Sequence, residues 1–337
     1  MRPTFSIICF TVLSGAGYGL LFLTGLSLML GWPLDSPTAV FFDGAGSGAT
    51  EIDGASAHVT FAIVLAAGVL LATAGLLSSV VHLAKPLRAW RAFSQWRSSW
   101  LSREGVASLL TYVPALGAFA FAIRGEHAPR LVAAADGLAL AVLSAATVVC
   151  TGRIYASLKP IRAWHNRYVV PGYLLLAFYS GAMWMTALYA LPASGSAIPV
   201  AVAVLYVCNA ILAAPACAAL KWRYWRSLDA NPKSENAGSA TGLERIGRVR
   251  SFEAPHTEEN YLTHEMGFVL ARKHARRLRI LAFWLILLAP ASMIPLAFLV
   301  GVAAAWAALI AGMLGVFVER WLFFAEARHA VIAYYGR

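Results

Sequence analysis

The sequence predicts an all-α integral membrane protein, a bundle of about eight transmembrane helices with both termini cytoplasmic. Three observations carry this expectation. Of 337 residues, 60% are hydrophobic and 13% charged, and the mean hydropathy is +0.67. That is more apolar surface than a water-soluble core can hide. Apolar runs of roughly 20 residues, enough to cross about 30 Å of hydrocarbon, recur along the chain. Lys and Arg gather in alternate connections between those runs, which is an orientation signal.

The first run, 5–30, follows Arg2 and exceeds the roughly 7–15 apolar residues of a signal-peptide core, so it is expected to remain as a helix. Its Ser14-Gly15-Ala16-Gly17-Tyr18-Gly19 string has the look of a nucleotide loop. No strand precedes it and no acidic residue follows at the needed spacing. Close packing of helices through small residues is the simpler account. Further runs fall at 56–82, 105–123, 131–152, 168–190 and 196–220. The stretch 279–322 is too long for one span and holds Pro290 and Pro295 in its middle, so it is expected to be two helices joined by a tight turn.

Apart from Arg124 and Arg130, every Lys and Arg lies before the first run, in 83–104, in 153–167, in 221–279 or from 320 onward. Loop 31–55 contains Asp35, Asp43, Glu51 and Asp53 and no base. The positive-inside rule therefore turns both termini, 83–104 and the 221–279 loop to the cytoplasm. The net charge of +11 is then mostly topological, and nucleic acid is not an expected partner. The chain is expected to be one transmembrane domain, 1–337, with a long cytoplasmic loop at 221–279 whose polar 229–241 part is a flexible linker. Leu243–Glu258 mixes Arg245, Arg248 and Arg250 with Phe252 and suits a partner or lipid headgroups, and Arg272 to Arg277 suits anionic lipid as well as a protein.

No catalytic group or metal site is expected in this chain. Cys9, Cys150, Cys208 and Cys217 all lie in apolar runs, and even the nearest pair would sit about 13 Å apart along a helix. His264-Glu265-Met266-Gly267-Phe268 begins like a zinc-protease motif but lacks the second His. No haem is expected either, since His127, His165, His256, His264, His274 and His329 lie in or beside loops, and His58 and His82 sit at opposite ends of one helix. A haem cytochrome and a transporter stay as remoter alternatives; the spans carry almost no midplane charges and no matched pair of broken helices.

A bound quinone suits what is left, being lipid-soluble and needing an apolar slot with a few polar groups. His82 ends one helix and Glu104 begins the next, with a basic loop between them. An imidazole of ordinary pKa near 6.5 exchanges protons at neutral pH, and a carboxyl at the same membrane face can relay them to water. Lys85, Arg88, Arg91, Arg97 and Arg103 serve topology in any case, and Trp90, Trp96 and Trp100 suit the interface.

The string His82-Leu83-Ala84-Lys85-Pro86-Leu87-Arg88-Ala89 and the string Leu101-Ser102-Arg103-Glu104 resemble the H-L-G-x-P-x-R-A and L-S-x-E signatures of membrane anchor subunits of dimethyl sulfoxide reductase-like molybdoenzymes. Ala84 stands where that family has Gly. Phe5 to Leu21, Ile154 to Pro160, Trp164-His165-Asn166-Arg167 and Glu319-Arg320-Trp321-Leu322-Phe323-Phe324 resemble the branch associated with sulfite-oxidising complexes. The resemblance implies a helical anchor that holds an iron–sulfur ferredoxin-like subunit and a molybdopterin catalytic subunit and exchanges electrons with ubiquinone or menaquinone. It implies a quinone site at His82 and Glu104, with Arg88, Arg103 and Trp100 beside them. Dimethyl sulfoxide reductases of this family turn the quinone-site His outward, whereas the charge pattern here turns His82 inward. Together these favour cytoplasmic sulfite oxidation to sulfate at the inner membrane of a bacterium. The alternative is an S-oxide reductase anchor that runs quinol oxidation.

Overall fold

The computed structural model describes residues 4–31, 40–42, 49–51, 54–81, 86–124, 129–190, 198–199, 208–230, 237–249, 252, 270–300 and 303–330. Long helices dominate: α1 (Phe5–Met29), α2 (Gly54–Val81), α3 (Trp100–Arg124), α4 (Arg130–Ala156), α5 (Val169–Tyr189), α6 (Ala214–Asp229, led by a π-helical turn Asn209–Ala213), α7 (Leu270–Val300) and α8 (Ala303–Ala325). Six of them, α1 to α5 and α8, are long and apolar enough to cross a bilayer. They form because each run is apolar with at most a few charges, and a helix satisfies its backbone groups within its own segment.

The α1 helix is the hub, packed against α2, α4, α5 and α8. Its glycines explain how. A Cβ at Gly19 would strike the Ala177 carbonyl of α5, and one at Gly181 would strike the Gly19 backbone in return; Gly25 and Gly137 make the same mutual approach between α1 and α4. The Ser14–Gly19 string is thus a packing surface, as its composition predicts. Pairwise, α3 lies on α4 and α7 on α8.

The connection after α1 and the one after α5 meet in a small antiparallel sheet of β1 (Val40–Phe42), β2 (Ala49–Glu51) and β3 (Ile198–Pro199), ordered β2-β1-β3, with Val40 opposite Glu51 and Phe41 opposite both Thr50 and Pro199. This corrects the expected start of the sixth run, because residues 198–199 pair as a strand while helix is described only from Cys208. A second correction concerns 279–322. The α7 helix continues through Pro290 and Pro295 to Val300, and the pair divides at 301–302, outside the described residues. Proline removes one helical hydrogen bond but is tolerated where neighbouring helices satisfy the freed groups, and Pro114 inside α3 behaves likewise. A third correction is that α3 begins at Trp100, five residues before its apolar run, so Glu104 lies inside the helix.

The described parts of the 221–279 connection are the end of α6, a short helical turn at Ala237–Thr241, a 3₁₀ turn at Leu243–Arg245 entered through Gly242 at φ +73° and followed to residue 249, Phe252, and the start of α7 from Leu270.

Candidate functional site

Of the sequence-predicted site residues, His82 lies outside the described residues, as does Lys85. Arg88 is exposed on a 3₁₀ segment, Pro86–Gln95, that leads toward α3. Trp100 opens α3 half-buried between two cations, with the Arg103 Cζ 4.4 Å and the Arg153 Cζ 5.8 Å from its ring centre. Arg103 also donates from Nε to the Trp96 carbonyl at 3.0 Å and from Nη2 to the Arg97 carbonyl. It therefore fixes the turn before α3 as well as stacking on Trp100.

Glu104 is drawn inward from this cationic rim and is 4% exposed. Thr151 of α4 donates its hydroxyl to the Glu104 Oε1. The same Thr151 Oγ1 lies 3.1 Å from the Thr147 carbonyl. A hydroxyl has one proton and two lone pairs, so Thr151 has two consistent states. It donates to an ionised Glu104, or it accepts from a protonated Glu104 while donating to Thr147. Either proton occupancy of the carboxyl is satisfied without moving a helix.

One turn beyond Thr151, Tyr155 begins an aromatic cluster with Trp164, Tyr173, Phe323 and Phe324, in which Tyr155 stacks on Tyr173 at 5.8 Å and 13°. Trp164 holds the α4–α5 connection to α8 by donating Nε1 to the Phe323 carbonyl at 3.0 Å, and Tyr224 donates to the Ala163 carbonyl at 3.1 Å. His165 Nδ1 sits 2.7 Å from the Ala156 carbonyl at the end of α4.

Behind the cluster lies a group of charges that sequence reasoning gave no role. Lys221, Glu319 and Arg320 are 4%, 1% and 2% exposed. Glu319 accepts from the Arg320 Nε at 2.5 Å and pairs through its other oxygen with the Lys221 ammonium. The Arg320 guanidinium carbon stands 4.3 Å from the Tyr173 ring centre and 4.9 Å from that of Phe323. Aromatic faces thus offset the Nη1 and Nη2 atoms that form no hydrogen bond among the described residues. The available signal was a Glu-Arg pair inside an otherwise apolar run, since charges at membrane depth rarely lack a partner. Lys221 and Arg320 are therefore interior groups and drop out of the orientation count.

At the outer edge of this region Arg279 of α7 donates to Glu326 at 2.8 Å and to Asp229 at 2.8 Å, tying α6, α7 and the end of α8 together. Burial raises the Glu326 carboxyl above the ordinary range, with the Arg279 guanidinium pulling the other way. Among the described residues no three metal-ligating side chains gather.

Comparison with known proteins gives this arrangement a family. The model of the DMSO reductase anchor subunit (DmsC) matches residues 50–324. Over 99% of both chains the sequence is 29% identical to a sulfite dehydrogenase subunit of Allochromatium vinosum. No solved structure matches the chain. A multi-pass helical bundle with the buried Glu104 of the L-S-x-E string one turn inside α3, matched along most of its length by that model, belongs to the DMSO reductase anchor subunit family.

Proposed function

We propose that this chain anchors a sulfite-oxidising molybdoenzyme complex to the inner membrane of a bacterium and passes its electrons to quinone. The coarser part, a membrane anchor of a molybdoenzyme complex, follows from family membership. In the finer reading, a partner's molybdopterin site converts sulfite and water to sulfate, two electrons and two protons. Iron–sulfur clusters on a second partner carry the electrons to the membrane face, where quinone takes up two electrons and two protons to become quinol.

The observation that carries the reading is Glu104 held by a neutral hydroxyl. A buried carboxyl that is hydrogen-bonded in either protonation state is suited to hand a proton inward and be reloaded. Above it, Arg103, Arg153 and Trp100 form a cationic and aromatic rim, and Arg88, exposed on the Pro86–Gln95 segment that precedes α3, is assigned to the same face. His82, twenty-two residues before Glu104 at the end of the preceding apolar run, is assigned as the group that hydrogen-bonds a quinone carbonyl.

Eight spans with both termini cytoplasmic complete the proposal. The alternation of loops supports it: the sheet joins 40–42, 49–51 and 198–199, and the sequence 31–53 holds no Lys or Arg, whereas 83–104 and 153–167 are basic. Partners then dock on the basic side.

The test combines reporter fusions in the 31–53 loop and at the C terminus with sulfite-dependent quinone reduction by the complex in membranes. A cytoplasmic C terminus and sulfite-driven reduction support the proposal. A periplasmic C terminus, or a complex that reduces S-oxides with quinol and ignores sulfite, overturns it in favour of an outward-facing reductase anchor.

A further inference from the structure

The two connections 83–103 and 152–168 hold five and four Lys and Arg and not one Asp or Glu. Orientation in the membrane asks only that such cations be present. It does not ask that they be fixed in place, and here both connections are tied down.

The 157–168 connection is laced to α6 and α8. The Ala330 backbone N–H, just past α8, donates to the Pro160 carbonyl at 2.9 Å, and the Asn166 Nδ2 donates to the Ser227 Oγ of α6 at 3.1 Å. The Trp164 and Tyr224 bonds described above fix its middle. Ile161, Ala163 and Trp164 are buried as a result, and Lys159, Arg162, His165 and Arg167 are turned outward. The entropy of this connection is already spent, so its cations stand as an ordered array.

The Pro86–Gln95 segment is seated on α3 through Phe93, whose ring lies so close to Gly105 that a Cβ there would come within 2.8 Å of it. Trp90 and Trp96 are 66% and 52% exposed, and each carries the guanidinium of the next residue beside its ring, Arg91 at 5.7 Å and Arg97 at 5.6 Å. Trp100 joins the two connections into one surface, because Arg103 from the first and Arg153 from the second meet at its ring. Glu104 lies four residues further along α3, about 6 Å below.

We infer, resting on the anchor reading above, that these two connections form a single docking platform for an acidic face of the electron-carrying iron–sulfur partner. A surface of one sign steers and orients a partner of the other, and Trp and Arg are enriched among the residues that carry most binding energy at protein interfaces. Anionic lipid headgroups would suit Trp90 and Trp96, but headgroups ring the perimeter of a bundle. The 157–168 connection crosses from α4 and α5 to the ends of α6 and α8, over helices and not over lipid. A partner seated there stands about one helical turn from Glu104, beside the group assigned to quinone protonation.

The experiment follows retention of the partners on membranes that carry the intact complex. Membranes are washed at stepped salt concentrations, and the iron–sulfur subunit and sulfite–ferricyanide activity are measured in pellet and supernatant. Wild-type retention should fall as salt rises and return on dilution, since screening acts on charge. Arg91→Glu with Lys159→Glu reverses one cation in each connection and leaves the other seven to orient the chain, which a C-terminal reporter checks. This pair should release the partners at about half the salt that the wild type needs and weaken rebinding to stripped membranes about tenfold, with the amount of anchor in the membrane unchanged. The charge-preserving pair Arg91→Lys with Lys159→Arg should retain them as the wild type does. Salt-insensitive retention, or wild-type retention by the reversed pair, would overturn the platform and leave the anchor reading standing. Release by Arg245→Glu with Arg248→Glu but not by the platform pair would move the dock to the long connection. Loss of anionic phospholipid from the reversed pair with its partners still bound would make the surface a lipid site. Wild-type membranes without any bound sulfite–ferricyanide activity would remove the sulfite anchor reading itself.

Discussion

Glu104 and Glu319 are both buried glutamates near the same end of the bundle, and they are bound in opposite ways. Glu319 is clamped by two cations, Lys221 and Arg320, both as buried as itself. Glu104 meets one neutral hydroxyl, with its cations standing off at the Trp100 rim. The clamp joins α6 to α8 and cannot lose a charge without leaving another exposed to the apolar interior. The hydroxyl partner tolerates a change of protonation. Burial alone therefore does not mark a functional carboxyl; the chemistry of its partner does.

The largest expected effect tests the clamp. Glu319→Ala leaves Lys221 and Arg320 uncompensated, and breaking a buried ion cluster in this way costs about 3–5 kcal/mol. The variant should lose detergent-stable protein, read as a fall in melting temperature and in assembled complex. Replacing all three charges at once, Lys221→Met with Glu319→Leu and Arg320→Met, should recover much of that loss. A Glu319→Ala protein melting with the wild type would erase the distinction drawn here.

Glu104→Gln probes the other member. Gln keeps a hydrogen bond to Thr151 but cannot exchange a proton, so melting should shift little while quinone-linked turnover falls at least about tenfold, the scale of a lost general acid–base group. Turnover within twofold of the wild type would return Glu104 to a packing role. Thr151→Val sharpens the same point, removing the donor at a cost of about 1 kcal/mol in stability and lowering turnover less than Glu104→Gln does.

A more local effect belongs to the Arg279 edge, where water screens the largely exposed Asp229 but not Glu326, which is 7% exposed. Arg279→Gln should cost about 1–3 kcal/mol near pH 7, the scale of a hydrogen bond to a charged group. Its sign with pH follows from Glu326, whose carboxyl is raised by burial and drawn down by Arg279. Without the guanidinium the raised value climbs further, so the folded state holds its proton more tightly than the unfolded chain. Stability then falls as pH rises through that window and recovers on acidification. The deficit measured by thermal melting should be larger at pH 7 than at pH 5, and a deficit that grows on acidification would contradict it.

Most of the bundle was legible because hydrocarbon imposes a length and a composition on each span, and α1 to α5 fall within a few residues of their apolar runs. Boundaries failed where local rules met tertiary context. Pro290 and Pro295 read as a break, yet a helix buttressed by neighbours runs through them, and an apolar run from 196 reads as helix although residues 198–199 pair with β1. The sequence singles out Glu104 as a candidate but says nothing of its hydrogen-bond partner, because Thr151 is 47 residues away and one threonine among many. Lys221 looked like one more basic residue of a long loop, and nothing in its neighbourhood points to Glu319 on a helix that begins some 80 residues later.

The glycine crossings on α1 also bear on how the protein is made. The helix that becomes the hub leaves the ribosome before α4 and α5, and the backbone that Gly19 must meet at Ala177 follows about 160 residues later, on the order of ten seconds at ordinary synthesis rates. During that interval the faces meant for α4 and α5 rest against lipid or against the insertion machinery. Bulky side chains at Gly19 or Gly25 would pass unnoticed at insertion, which reads only hydrophobicity, and would fail when the later helices try to close. Defects there should accumulate as inserted but unassembled chain, a substrate for membrane proteolysis rather than for aggregation in the cytosol.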